Sequence, residues 1–144
     1  GELAGPASIL GALDVLGADR LQHGVRAIED PALVDRLAES GVCLDVCPSS
    51  NVLLSVFESF ADHPLPALLE AGVRCSVNAD DPLLFGPGLL EEYELVRTQF
   101  DFSDERMASI ARSSLECGGA PSEVKSAGLA GIDAWLAAPA TQTR

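Results

Sequence analysis

Val73-Arg74-Cys75-Ser76-Val77-Asn78-Ala79-Asp80-Asp81-Pro82 decides the fold class. Val73 to Val77 is short, apolar and partly β-branched, which predicts a buried strand. Asn78 to Pro82 stops that strand with polar and turn-forming residues. The same pattern occurs twice upstream. Val42 to Cys47 predicts a buried strand ended by Pro48-Ser49-Ser50-Asn51, and Leu21-Gln22-His23 a shorter one ended by Gly24. Helical segments lie between them. Asp30-Pro31 offers an N-cap with proline in the first turn, and the helix it opens carries Leu33, Val34, Leu37 and Ala38 on one face before Gly41. Pro66 to Ala71 predicts a short helix closed by Gly72. Strands alternating with helices imply parallel pairing through right-handed crossovers, an α/β fold. Ligands in such folds sit at the C-terminal strand ends, where His23, Ser49 to Asn51 and Asn78 to Asp81 gather.

Further out the pattern is helical. Pro6 to Leu16 places Ile9, Leu10, Leu13 and Leu16 at helical spacing, with Gly17 as a stop. Val52 to Phe60 is apolar and fits neither period. Three helices follow the last strand: Leu89 to Phe100, Asp104 to Leu115 with Ser103 as cap, and Ser122 to Leu136 with Ile132 and Trp135 on its apolar side. Residues 137–144 read as a flexible tail. A full (β/α)8 barrel takes ~250 residues, so three strands make either a small open sheet or part of a barrel.

Composition narrows the partners. The net charge of −13 over 144 residues argues against nucleic-acid or anionic-membrane binding, which need basic patches. No apolar run reaches the ~18–20 residues of a membrane helix. Gly1-Glu2-Leu3-Ala4-Gly5-Pro6 is neither a signal peptide nor an ordinary protein start, so further sequence is expected before it. Cys43, Cys47, Cys75 and Cys117 form no C-x-x-C pair. They read as free thiols in a reduced compartment, and a cytoplasmic location is expected.

Asp80 and Asp81 carry the strongest chemical signal. Two adjacent carboxylates repel unless one is protonated, solvated or paired with a cation, and a metal ion would serve. Taken alone, Asp80-Asp81-Pro82 reads as a solvated loop with a helix-capping Asp. His23 stands at another strand end beside a glycine that admits close approach of a ligand. Glu2 alone carries no signal.

Together these segments resemble the adenosine deaminase family. Gly1-Glu2 with Gly5-Pro6 is similar to the end of its His-Ala-Gly-Glu motif. His23-Gly24 resembles its His-Gly segment, and Cys47-Pro48-Ser49-Ser50-Asn51 its Cys-Pro-Thr-Ser-Asn strand end. His63-Pro64-Leu65-Pro66, Asn78 to Gly86 and Glu91-Glu92-Tyr93 also match family segments, in order, from Gly1 to about Leu136. The resemblance implies that residues 1–136 are the C-terminal half of a zinc-bearing (β/α)8 barrel. It implies hydrolytic deamination of adenosine or deoxyadenosine in purine salvage. Adenine or aminodeoxyfutalosine is an alternative substrate, and a non-catalytic degenerate binding module an alternative class. In the implied roles Glu2 protonates purine N1, and His23 orients the attacking water and accepts its proton. Asp80 is the carboxylate ligand of Zn2+. Asp81 meets purine N7, which requires a proton between two acceptors. The family's other zinc ligands are three histidines, two of them in a His-x-His motif and one two places before Gly1. The two histidines of this chain, His23 and His63, match neither, and His63 matches a non-ligand position. These 144 residues alone are therefore expected to hold no stoichiometric zinc and to turn over no substrate. The cytidine-type zinc deaminases use H-x-E with P-C-x-x-C, and this sequence has neither.

Overall fold

The computed structural model describes residues 1–138. The chain runs through α1 (Pro6–Asp14), β1 (Arg20–Gln22), a 3-10 turn (Val25–Glu29), α2 (Pro31–Ser40), β2 (Cys43–Val46) and α3 (Pro48–Leu53). A second 3-10 turn (Phe60–Asp62), α4 (Leu65–Glu70), β3 (Cys75–Val77), α5 (Pro82–Phe85), α6 (Leu89–Gln99), α7 (Asp104–Glu116) and α8 (Ser122–Ala137) follow. The strands form one parallel sheet in the order β1-β2-β3, so all three end at the same edge. Among the described residues no helix is long and apolar enough to cross a membrane. Residues 139–144 of the expected tail lie outside the described residues.

The sheet has two unlike faces because side chains alternate along a strand. Leu21, Leu44 and Cys75 align in one row, with Val46 beside Val77. These side chains pack into the core with Ile9, Leu33, Leu37, Leu65, Leu68, Val96 and Ile110. Gln22, Asp45 and Ser76 form the alternate row. Asp30 caps α2 as expected, accepting from the Ala32 and Leu33 amides, and Gly41 ends it in the left-handed conformation. Ser103 caps α7.

One segment that fits neither period takes its form from the fold, and one helix differs from the sequence-based expectation. The apolar stretch Val52 to Phe60 is the end of α3 followed by turns, with Leu53 and Leu54 exposed. Helix α8 buries no residue. Its Ile132 and Trp135 line an open groove shared with α6 and α7, and Trp135 is half exposed.

His63 is part of the core. It lies edge-on to Phe57 and tilted against Phe100, with ring centroids 5.2 and 6.0 Å away. Burial pushes its imidazole down to about 4. An unfolded chain protonates the ring near its ordinary value of ~6.5. Between those values the unfolded state binds a proton that the folded state refuses, so stability falls as pH drops through that window. The loss should be on the order of 3 kcal/mol at most. Chemical unfolding of the protein at pH 7 and pH 4.5 should show this slope, and His63→Gln should flatten it. Equal losses in both proteins would trace the slope to other groups.

Gly24 supplies a second test. It sits at φ +66°, and an added Cβ would lie 2.6 Å from Leu44 Cδ2 in the core. Left-handed strain and overpacking together should make Gly24→Ala destabilising by about 2–4 kcal/mol. Gly11 lies inside α1, and none of the described residues comes within 4 Å of an added Cβ there. Gly11→Ala should therefore be neutral or stabilising by up to ~1 kcal/mol, as read from denaturation midpoints.

Candidate active site

The end of each strand delivers one component of a polar cluster. Pairing continues one residue past β1, where the His23 amide donates to Asp45 O at 2.8 Å. The backbone then turns left-handed at His23 (φ 56°) and Gly24 (φ 66°). At the end of β3 the Asn78 amide donates to Val46 O, and Asp80 is also left-handed (φ 58°). Non-glycine residues pay ~1–3 kcal/mol for this conformation. Here it leaves His23 Nε2 3.8 Å from Asp80 Oδ2. Ser55 and Asp101 share the positive φ, but they follow the last turns of α3 and α6, where such residues commonly end helices.

Glu2 reaches the cluster because Gly1 lies against the first strand turn. A Cβ on Gly1 would meet Gly24 Cα at 2.9 Å, and Gly1 O accepts from the Arg26 amide. Glu2 Oε1 then stands 3.5 Å from His23 Nδ1. The end of β2 contributes Asn51 from α3. Its Nδ2 donates to Glu2 Oε1 at 2.8 Å and lies 3.2 Å from His23 Nδ1. Asn51 Oδ1 faces His63 Nε2 at 3.2 Å.

A cavity of about 410 Å³ opens beside this cluster, lined among others by His23, Cys47, Asn78 and Asp80. Its floor is polar. The buried Asp45 carboxylate accepts from Arg20, from Gln22 Nε2 at 3.2 Å and from Ser76 Oγ at 2.6 Å. Asn78 Nδ2 donates in turn to Ser76 Oγ. Ligand atoms of His23, Cys47 and Asp80 all lie within 4.8 Å of one another. Burial pushes the Cys47 thiol up to about 12, reinforced by the Asp80 carboxylate. The carboxylate oxygen, thiol sulfur and imidazole nitrogen are all donor types that suit zinc, and these three fall short of the four of a closed site.

Of the residues singled out in the sequence, Glu2, His23 and Asp80 come together. Asp81 does not join their contacts. Its Oδ1 accepts the Leu83 amide at 2.9 Å and caps α5, as Asp-Asp-Pro taken alone suggested. Sequence reasoning gave no role to Asn51, Asp45 or Glu92 and dismissed His63. Asn51 was visible as the last polar residue of the run after β2. Asp45 shows in the alternation Cys43-Asp45-Cys47. Glu92 is buried, with Oε1 accepting the Ser49 amide at 2.7 Å and Oε2 without a partner among the described residues, and nothing distinguishes it from Glu91 in the sequence.

The family model described as Adenosine deaminase matches residues 1–135. A Streptomyces coelicolor protein named "Putative adenosine/adenine deaminase" is 53% identical over 138 residues, covering 96% of this chain and 40% of that protein. An "Adenine deaminase" from Agrobacterium fabrum is 50% identical over 117 residues, 81% of this chain and 36% of that protein. The crystal structure of adenine deaminase from Arthrobacter aurescens superposes with a TM-score of 0.93 at 38% identity, covering 96% of this chain and 42% of that one. The chain thus spans about two fifths of the length of these relatives. It belongs to the adenosine deaminase family, and its three parallel strands and the helices around them are a C-terminal portion of that family's (β/α)8 barrel.

Proposed function

We propose that the protein carrying this chain hydrolytically deaminates a 6-aminopurine, replacing the 6-amino group by oxygen and releasing ammonia. The observation that carries this reading is the convergence of Glu2, His23 and Asp80 on one strand edge. Adenine is supported as substrate at least as well as adenosine, because the relatives from Agrobacterium fabrum and Arthrobacter aurescens bear the name adenine deaminase.

Attack of water at C6 interrupts an aromatic ring, so the ring must be activated and the nucleophile strong. Asp80 would hold a zinc ion together with three donors from outside these residues, and that ion when bound supplies a strong nucleophile from water near neutral pH. Glu2 is the group to protonate N1, drawing electron density from C6. Asn51 engages Oε1, which leaves Oε2 to carry the transferable proton. His23 faces the same space as Asp80 and orients the attacking water. Asp81 has one oxygen in its capping bond, and the other is proposed to meet N7.

The decisive assay is ammonia release by the full-length, zinc-loaded protein from adenine, adenosine, deoxyadenosine and aminodeoxyfutalosine. Turnover of adenine or adenosine supports the proposal. Binding without turnover of any of them supports a non-catalytic module instead. Within an active enzyme, Glu2→Gln should keep zinc and substrate affinity and lower kcat by roughly 10²–10⁴-fold. His23→Ala should keep most of the zinc and lose turnover, whereas Asp80→Ala should lose zinc and activity together. Near-normal kcat in Glu2→Gln would remove Glu2 from the mechanism.

Asp81 is tested by a cycle with 7-deazaadenine, or 7-deazaadenosine for a nucleoside-specific enzyme. The parent protein should bind the analogue poorly, and Asp81→Ala should add little to that loss, because the partner atom is already gone. If Asp81 only caps α5, the variant should be less stable and affect the natural and 7-deaza compounds equally.

A further inference from the structure

Helix α3 does not cap itself. Pro48 begins it and has no N–H, and Cys47 before it makes no side-chain cap bond. The Ser49 amide is therefore the first donor of a helix start, where no carbonyl one turn back can receive it. Glu92 Oε1 receives it at 2.7 Å, from a position 43 residues further along the chain. A local cap would tie α3 only to its own start. This bond ties it to α6, which roots Val96 in the core and brings Leu89 to the cavity wall.

Glu92 is an unfavourable residue to bury. It is 1% exposed, and among the described residues neither its Oε2 nor Ser49 Oγ has a partner. A buried carboxylate with an unmet oxygen opposes folding, and a well-packed apolar side chain of similar volume is often as stable or more so. What the carboxylate supports lies two residues along α3. Asn51 stands in the same first turn as Ser49, is fully buried, and donates through Nδ2 to Glu2 Oε1 at 2.8 Å.

We propose that Glu92 is a positioning residue for Glu2: by holding the Ser49 amide it fixes α3, and through Asn51 it fixes the Glu2 side chain. Glu92 touches no reacting atom. Its hold on Asn51 rests on the geometry alone, and its effect on turnover rests on the deaminase reading. Without the acceptor, the start of α3 is free to move, and a displacement of about 1 Å at a reacting group is enough to cost on the order of 10²-fold in rate.

The test uses the full-length, zinc-loaded protein and two readouts. Crystal structures of the wild type and of Glu92→Gln, which keeps an acceptor of the same reach, should show Asn51 Nδ2 on Glu2. In Glu92→Leu the Ser49 amide loses its acceptor, and Asn51 should stand beyond hydrogen-bond distance of Glu2. Asn51 away from Glu2 in the wild type, or still on it in Glu92→Leu, overturns the proposal. In an active enzyme Glu92→Leu should lower kcat by roughly 10–10²-fold, with KM within a few-fold and zinc content unchanged. Glu92→Gln should restore most of that kcat. Asn51→Ala combined with Glu92→Leu should lose no more kcat than the greater of the two single losses, because both act through one contact. Losses that multiply, or a wild-type kcat in Glu92→Leu, overturn the proposal. If Glu92→Leu does not fold, Glu92→Asp takes its place in every arm, since it keeps the charge and withdraws the acceptor by one methylene. The crystal structures place Asn51 whether or not any purine is turned over, so failure of this proposal is separable from failure of the deaminase reading.

Discussion

One buried carboxylate ties the sheet together. Asp45 sits in the middle strand and accepts from Arg20 and Gln22 of β1 and from Ser76 of β3. A buried charge is tolerated only where its oxygens are met, and removing one partner commonly costs ~3–5 kcal/mol. The pairs Gln22↔Asp45 and Asp45↔Ser76 are therefore held in register. A slip by one residue would put the carboxylate against the apolar core and turn Leu44 out of it. Because the strands are parallel and in register, His23, Cys47 and Asn78 emerge at one edge. Everything proposed about chemistry depends on that alignment.

The edge becomes a site through local backbone conformation. Left-handed turns at His23 and Asp80 are unfavourable for such residues, and they leave the imidazole and carboxylate facing one another. Gly24 relieves crowding against Leu44, and Gly1 lets the chain before α1 lie on that turn. The short helix α3 then sets Asn51 between Glu2, His23 and His63. Glu92 of α6 accepts the amide of Ser49 in the first turn of α3, which anchors that helix. The stability lost in strained turns and buried polar groups is offset by the apolar face of the sheet, where Leu44, Val46, Cys75 and Val77 are almost fully buried.

Much of this was legible in the sequence, for physical reasons. Strand ends were marked by abrupt passage from β-branched to polar residues, and helix α2 by Asp30-Pro31 and Gly41, whose capping geometry is local. Glu2 was recognisable only as a member of an ordered set of family segments, whereas Asp80 and His23 already drew notice by standing at strand ends. What stayed hidden depends on long-range contact. Val52 to Phe60 divides its apolar residues, with Val56 and Phe57 packed against the core while Leu53 and Leu54 at the end of α3 are exposed. His63 lies in a His-Pro segment that looks like a loop, and its value comes from Asn51, which only the fold brings near. Asp81 reads equally as ligand contact and as cap, and its capping bond is the part visible here.

The central claim is that this strand edge binds a metal through Asp80 and a purine ring against Glu2. The most direct measurement is a crystal structure of the full-length, zinc-loaded protein with a non-hydrolysable 6-aminopurine analogue, with anomalous data collected at the zinc edge. The account predicts an anomalous peak at the Asp80 carboxylate and a ring nitrogen of the base at hydrogen-bond distance from Glu2. Zinc bound away from Asp80, or a purine lodged with Glu2 facing none of its ring nitrogens, would contradict it.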